Sequence, residues 1–172
     1  MSFRRILVPV ELGDASDVAV HTAGALARAL GAEVVLMHVF DVAHGGLAGG
    51  LLYPGRVNLD TSEETVAHIR ATVEERVNEL LAHGVRAQGR VERGIPAFQI
   101  IDAVKAVAAD LVVLSRRGTG RGTARKVLAQ SPVPVLVINA GAAERVAEET
   151  SEHEPDASPM PGARATPDRE ES

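Results

Sequence analysis

DLVVLSRRGTGRGTARK, residues 110–126, decides the reading of this chain. Its first half is a near-continuous apolar run with β-branched residues. Such a run predicts a short strand buried on both faces, as in a parallel sheet. Its second half carries glycine at 118, 120 and 122 among Arg116, Arg117, Arg121, Arg125 and Lys126. Glycine lets backbone N–H groups turn toward an anion, and a helix beginning near Gly122–Thr123 would point its positive end at the same place. A solvated turn kept polar by its arginines is the alternative reading of the same residues.

The segments on either side extend the pattern. FRRILVPV (3–10) is a second apolar run, and ELGDAS supplies a turn in which Asp14 or Ser16 can cap a helix running to about Leu30, with Gly31 as its stop. AEVVLMHVF (32–40) predicts the next strand, and a glycine-rich connection follows from residue 41. Thr61 and Glu64 form a capping box. Val66, Ile69, Val73, Val77, Leu80 and Leu81 then recur at helical spacing until Gly84. VRAQGRVE (85–92) is a more polar strand suited to an edge. Pro96 opens a helix whose predicted apolar face is Phe98, Ile101, Val104 and Val107. ARKVLAQ (124–130) and SPVPVLVIN (131–139) give the last helix and strand. Strands and helices alternate throughout, which predicts a parallel sheet with helices on both faces and a ligand site at the carboxyl ends of the strands.

Charge divides the chain. Residues 1–140 hold 15 bases and 14 acids, whereas residues 141–172 hold three bases and nine acids. The reading is therefore one domain (1–140) and an acidic tail (141–172). The tail is rich in Glu, Pro, Ser and Ala, with too little apolar surface to offset its ordering entropy, so disorder is expected there. A near-neutral domain disfavours general nucleic-acid binding. Cysteine is absent, which excludes disulfides and thiol chemistry and fits a reducing cytoplasm. The N-terminal apolar run is too short for a signal sequence or a membrane span, so a cytoplasmic protein without membrane insertion is expected.

Several chemistries fail on their motifs. G-x-x-x-x-G-K-[ST] does not occur, and the GTGRGT of residues 118–123 meets G-x-G-x-x-G except at its last position, after a late strand. A phosphoacceptor receiver domain would need an Asp where Glu92 stands and a Lys where Asn139 stands. The six histidines show no metal spacing, and Ser115 and Ser131 sit in no G-x-S-x-G elbow. Glu11, just past the first strand, is a carboxylate able to accept from a ribose hydroxyl or a base amine, or else a solvent-facing loop acid.

Four blocks, RILVPVELGDAS, AEVVLMHV, ADLVVLSRRGTG and SPVPVLVI, resemble in sequence and order the universal stress protein family, over residues 3–139. The resemblance implies a Rossmann-like, adenine-nucleotide alpha hydrolase-like α/β domain, a doubly wound five-stranded parallel sheet of order 3-2-1-4-5. It implies a regulator rather than an efficient enzyme, a homodimer through the last strand (Val133–Ile138), and in some members bound ATP, with Mg2+ accompanying ATP. By resemblance Pro9, Glu11 and Val39 would line the adenine and ribose side. Leu114, Ser115, Gly118, Gly122 and Thr123 would line the phosphates, with Arg116, Arg117 and Arg121 as candidate phosphate contacts.

The sequence departs from the nucleotide-binding pattern G-x2-G-x9-G-[ST]. Ser115 takes the first glycine's place, only three residues separate Gly118 from Gly122, and Glu11 replaces the usual Asp. Three readings follow: a regulatory ATP- or AMP-binding homodimer, a nucleotide-free interaction protein of the same fold acting through its dimer and tail, and a slow ATPase or autokinase with Glu11 or Asp14 as base.

Overall fold

The computed structural model describes residues 2–11, 15–41, 63–116 and 122–139. The elements run β1 (Arg5–Pro9), α1 (Ala15–Leu30), β2 (Glu33–Asp41), α2 (Glu63–Ala82), β3 (Arg86–Gly94), α3 (Pro96–Ala106), β4 (Leu111–Arg116), α4 (Thr123–Gln130) and β5 (Val135–Asn139). They form one sheet of order β3-β2-β1-β4-β5, and every strand pair is parallel. The predicted architecture is the observed one.

Alternation along the strands builds two cores. Ile6, Val8, Val34, Leu36, Leu111 and Val113 face α1 and α2. Leu7, Val35, Met37, Val112 and Leu114 face α3 and α4. Both parities are apolar because both faces are covered, which is why these segments read as continuous runs. Each fully buried Val, Leu or Ile contributes about 1.5–3 kcal/mol relative to exposure. β3 is an edge strand with no fully buried residue, which accounts for its polar sequence.

Three crossover helices end in the same way. After α1, Gly31 takes φ +66° and the Ala32 N–H donates to the Ala27 carbonyl (2.9 Å). After α2, Gly84 takes φ +75° and the Val85 N–H donates to the Leu80 carbonyl (2.9 Å). After α3, Ala108 takes φ +51° and the Ala109 N–H donates to the Val104 carbonyl (2.9 Å). Each is a Schellman exit: one left-handed residue, then a buried apolar residue (Ala32, Val85, Ala109), then a strand. The first two stops are the predicted ones. The third carries an alanine in a conformation that suits glycine.

Several expectations are corrected. α3 buries Ala97, Ile100, Ala103 and Val104, whereas Phe98 is 55% exposed and Ile101 half-buried, because the small alanines let the helix lie close to the sheet. Leu81 is also exposed, since α2 seats its Leu80 face instead. Ser16 hydrogen-bonds back to Glu11, ahead of the helix. The capping Thr61, Asp14, most of the glycine-rich connection and the acidic tail lie outside the described residues.

The amino ends of the strands are tied by Asp110. Its carboxylate accepts from the Arg4 N–H (2.8 Å) and the Arg5 N–H (3.0 Å), while the Arg5 guanidinium reaches Glu33 (2.9 Å) and the Val107 carbonyl (2.6 Å).

Candidate functional site

The order of the sheet locates the site. From β1 the chain crosses over α1 to β2 on one side, whereas β4, on the other side of β1, is followed by α4 on the opposite face. The strand-order switch therefore falls between the carboxyl ends of β1 and β4, where open α/β sheets take ligands.

The ladder opens at that point. β1 is in register with β2 through Pro9↔Met37, but its register with β4 comprises Ile6↔Leu111 and Leu7↔Val112. Pro9 contributes to this opening. The Val10 N–H donates to the Met37 carbonyl (2.8 Å), on the β2 side. Successive strand residues direct their backbone groups to alternate sides, so the Pro9 nitrogen faces β4, and proline has no hydrogen to donate there.

Three side chains fix the backbone just beyond Pro9. The Ser16 hydroxyl, 1% exposed, accepts from the Glu11 N–H (2.7 Å). The His38 Nδ1 lies 2.9 Å from the Val10 carbonyl. A carbonyl only accepts, so Nδ1 carries the hydrogen, and in the neutral ring Nε2 is the acceptor. The ring is also held edge-on by Phe40, with centroids 5.4 Å apart. Arg76 on α2 pairs with Asp17 (2.7 Å) and directs a second guanidinium N–H toward the Glu11 carbonyl (3.4 Å). Glu11 itself is exposed.

The remaining candidates divide by face. Val39 is partly buried and Leu114 fully so, both on the α3/α4 side, where Leu114 is part of the core. Ser115, half-buried opposite Ile138, has the parity of Val113 and thus the α1 side. Gly122 precedes α4 with no side-chain cap, and among the described residues a Cβ added there would meet nothing within 4 Å. Thr123 begins the helix, and Ala124 packs against the cluster that contains Leu114, which brings this first turn to the carboxyl end of β4. Gly118, Arg117, Arg121 and the side chain of Arg116 lie outside the described residues. The structure thus gathers Pro9, Glu11, Val39, Leu114, Ser115, Gly122 and Thr123 at one end of the sheet.

A groove of about 650 Å³ lies elsewhere, between α1 and α2, lined by Asp17, Arg28, Glu75, Arg76 and Glu79 among others. Its charges nearly cancel, and it runs along the α1–α2 seam, meeting the carboxyl end of β1 only at Asp17 and Arg76. The switch-point site is bounded by segments outside the described residues, so topology, not cavity size, locates it. Among the described residues no cluster of His, Cys, Asp and Glu could hold a metal ion, and no helix is long and apolar enough to cross a membrane.

Comparison with known proteins agrees with the fold. The chain is similar in fold to the universal stress protein UspA from Lactobacillus plantarum (24% identity, 81% of this chain and 99% of that chain, TM-score 0.66). It is similar to a universal stress protein from Archaeoglobus fulgidus solved in complex with dAMP (23% identity, 81% and 100%, TM-score 0.62). A universal stress protein solved in complex with cAMP shares 20% identity over 81% of this chain and 99% of that one, with a TM-score of 0.61. No curated protein matches the sequence significantly. The family model described as "Universal stress protein family" matches residues 2–139, from the strand before the ladder opening to the end of β5, and the chain therefore belongs to that family.

Proposed function

We propose that the protein is a regulatory adenine-nucleotide-binding homodimer, taking ATP or AMP at the β1/β4 opening without efficient turnover. The observation that carries this reading is the coincidence of the strand-order switch with an uncapped helix start at Gly122. Among the described residues a Cβ added at that glycine would meet nothing within 4 Å, which supports a phosphate approaching the first-turn N–H groups of α4 and its positive end. Glu11 would accept from the ribose or the base, Pro9 and Val39 would flank the adenine, and Arg116, Arg117 and Arg121 would offset phosphate charge. Mg2+ would accompany ATP on its phosphates. The dAMP and cAMP complexes of proteins with this fold support the adenine preference.

The homodimer would form through Val133–Ile138. β5 is the sheet's terminal strand, its Leu136 is exposed, and Val135, Val137 and Ile138 are half-buried, as suits an edge awaiting cover. A second reading, a nucleotide-free regulator acting through its dimer and tail, draws support from Ser115 and from the three-residue spacer before Gly122. Both put backbone N–H groups at a disadvantage around a triphosphate.

The test starts with protein purified without added nucleotide. It is denatured, and the supernatant is resolved by anion exchange beside ATP, ADP and AMP. The emptied protein is then titrated with ATP by calorimetry. Retained nucleotide or micromolar binding, lost in Gly118→Val/Gly122→Val, supports the reading. No nucleotide and no heat at millimolar ATP refutes it and favours the second. Removal of residues 141–172 that abolishes partner capture while leaving ATP affinity unchanged would assign the tail that partner role.

A further inference from the structure

We infer that His38 and Arg76 are positioning residues of this site, holding the Val10–Glu11 backbone so that the Glu11 carboxylate recognises the ribose hydroxyls. The inference rests on the nucleotide reading above and adds the residues that set its sugar specificity. Neither side chain is in the loop it holds. His38 comes from β2, 28 residues from Val10, and Arg76 from α2, 65 residues from Glu11.

The geometry assigns each a distinct task. Two consecutive carbonyls, those of Val10 and Glu11, each receive one side-chain donor, at 2.9 Å from His38 and 3.4 Å from Arg76. The Glu11 N–H is already taken by the buried Ser16 hydroxyl, and the Val10 N–H by β2. The peptide that carries Glu11 is thus bonded on every polar group. A peptide held in this way fixes the direction in which the Glu11 side chain leaves the backbone and so narrows the space its carboxylate can reach, and a preorganised acceptor discriminates ligands better than a mobile one. Arg76 suits the task because its side chain is 14% exposed and its planar fork spends one N–H group on Asp17 while offering another to Glu11. A lysine would keep the charge opposite Asp17 and lose the second reach.

The full-length protein is the material for the test. Calorimetry compares ATP with 2′,3′-dideoxy-ATP for the wild type, Arg76→Lys and His38→Phe. The phenyl ring retains the packing on Phe40 and removes the donor. Wild-type protein is expected to favour ATP over the dideoxy form. Each variant is expected to lose about three- to tenfold in ATP affinity, as for one net hydrogen bond, with dideoxy-ATP affinity unchanged. In Glu11→Gln, the added Arg76→Lys should cost nothing further, the sign of coupled action on one group. A merely structural role would lower both nucleotides together. Unchanged ribose preference in both variants overturns the inference, as does a wild type that binds both nucleotides equally, which leaves the nucleotide reading standing. A wild type that binds neither removes that reading and the inference with it.

Discussion

The three Schellman exits provide a controlled measurement of backbone strain. Ala108 sits at φ +51°, is exposed, and keeps the exit hydrogen bonds from the Ala108 N–H to the Lys105 carbonyl (3.1 Å) and from the Ala109 N–H to the Val104 carbonyl (2.9 Å). Ala108→Gly preserves both bonds, because they belong to the backbone. An L-residue in this region carries roughly 1–2 kcal/mol of strain. Glycine gives back about 0.4–1 kcal/mol by enlarging the unfolded ensemble. The expected net is a gain of about 0.5–1 kcal/mol, or about 2–4 °C in Tm for a domain of this size. Gly31→Ala and Gly84→Ala reverse the experiment. Among the described residues a Cβ at either position meets nothing within 4 Å, so packing does not enter, and each should lose a similar amount. Urea unfolding followed by circular dichroism reads all three, with the m-value unchanged. If Ala108→Gly is neutral or destabilising while the two reverse changes cost what is expected, the strain assigned to Ala108 does not exist and the reasoning fails.

Other outcomes follow from single contacts. Asp110→Ala strips the Arg4 and Arg5 N–H groups of their acceptor and should cost about 1–3 kcal/mol in urea unfolding. At Gly89 an added Cβ would stand 2.8 Å from Val73 Cγ1, and valine has little rotamer freedom in a helix, so Gly89→Ala should cost about 1–3 kcal/mol. Val73→Ala in the same chain should recover part of that loss, and a strictly additive double mutant would refute the clash. Gly122→Asp should separate stability from binding. It supplies a helix cap to α4, raising stability by a few tenths of a kcal/mol, yet sets a negative charge where the phosphate is proposed. Calorimetry should show at least a tenfold loss of ATP affinity; equal affinity would move the phosphate away from Gly122.

How far the sequence could be read depended on how local each signal is. The runs at Ile6–Val8, Val34–Met37 and Leu111–Leu114 announced buried parallel strands because both faces of each are covered. Gly31 and Gly84 announced helix ends through a residue type that favours positive φ. Ala108 carries no such mark, because its conformation is imposed by Val107 and Ala109 being drawn into the core on either side. Phe98 misled in the opposite direction. Its apolar side chain fits a helical period, but the face that seats on the sheet is the one lined by Ala97, Ile100, Ala103 and Val104. At the candidate site, Pro9, Glu11 and Thr123 could be placed from their positions at element ends. His38 and Arg76 could not, since their contacts exist only once β2 and α2 have docked beside the β1 terminus.

The two-pair register between β1 and β4 has a mechanical consequence. β1, β2 and β3 are laced by continuous ladders, and so are β4 and β5. Between the two groups the backbone register stops at Leu7↔Val112, and the seam is otherwise held by side chains, Ile6 and Val8 with Leu111 and Val113 on one face and Leu7 with Val112 and Leu114 on the other. The sheet behaves as a book whose spine is glued at one end. A small molecule touching both the Glu11 turn and the first turn of α4 would act as a clasp across the open end. Its signature would be slower amide exchange along Val112–Leu114, at amides no ligand touches.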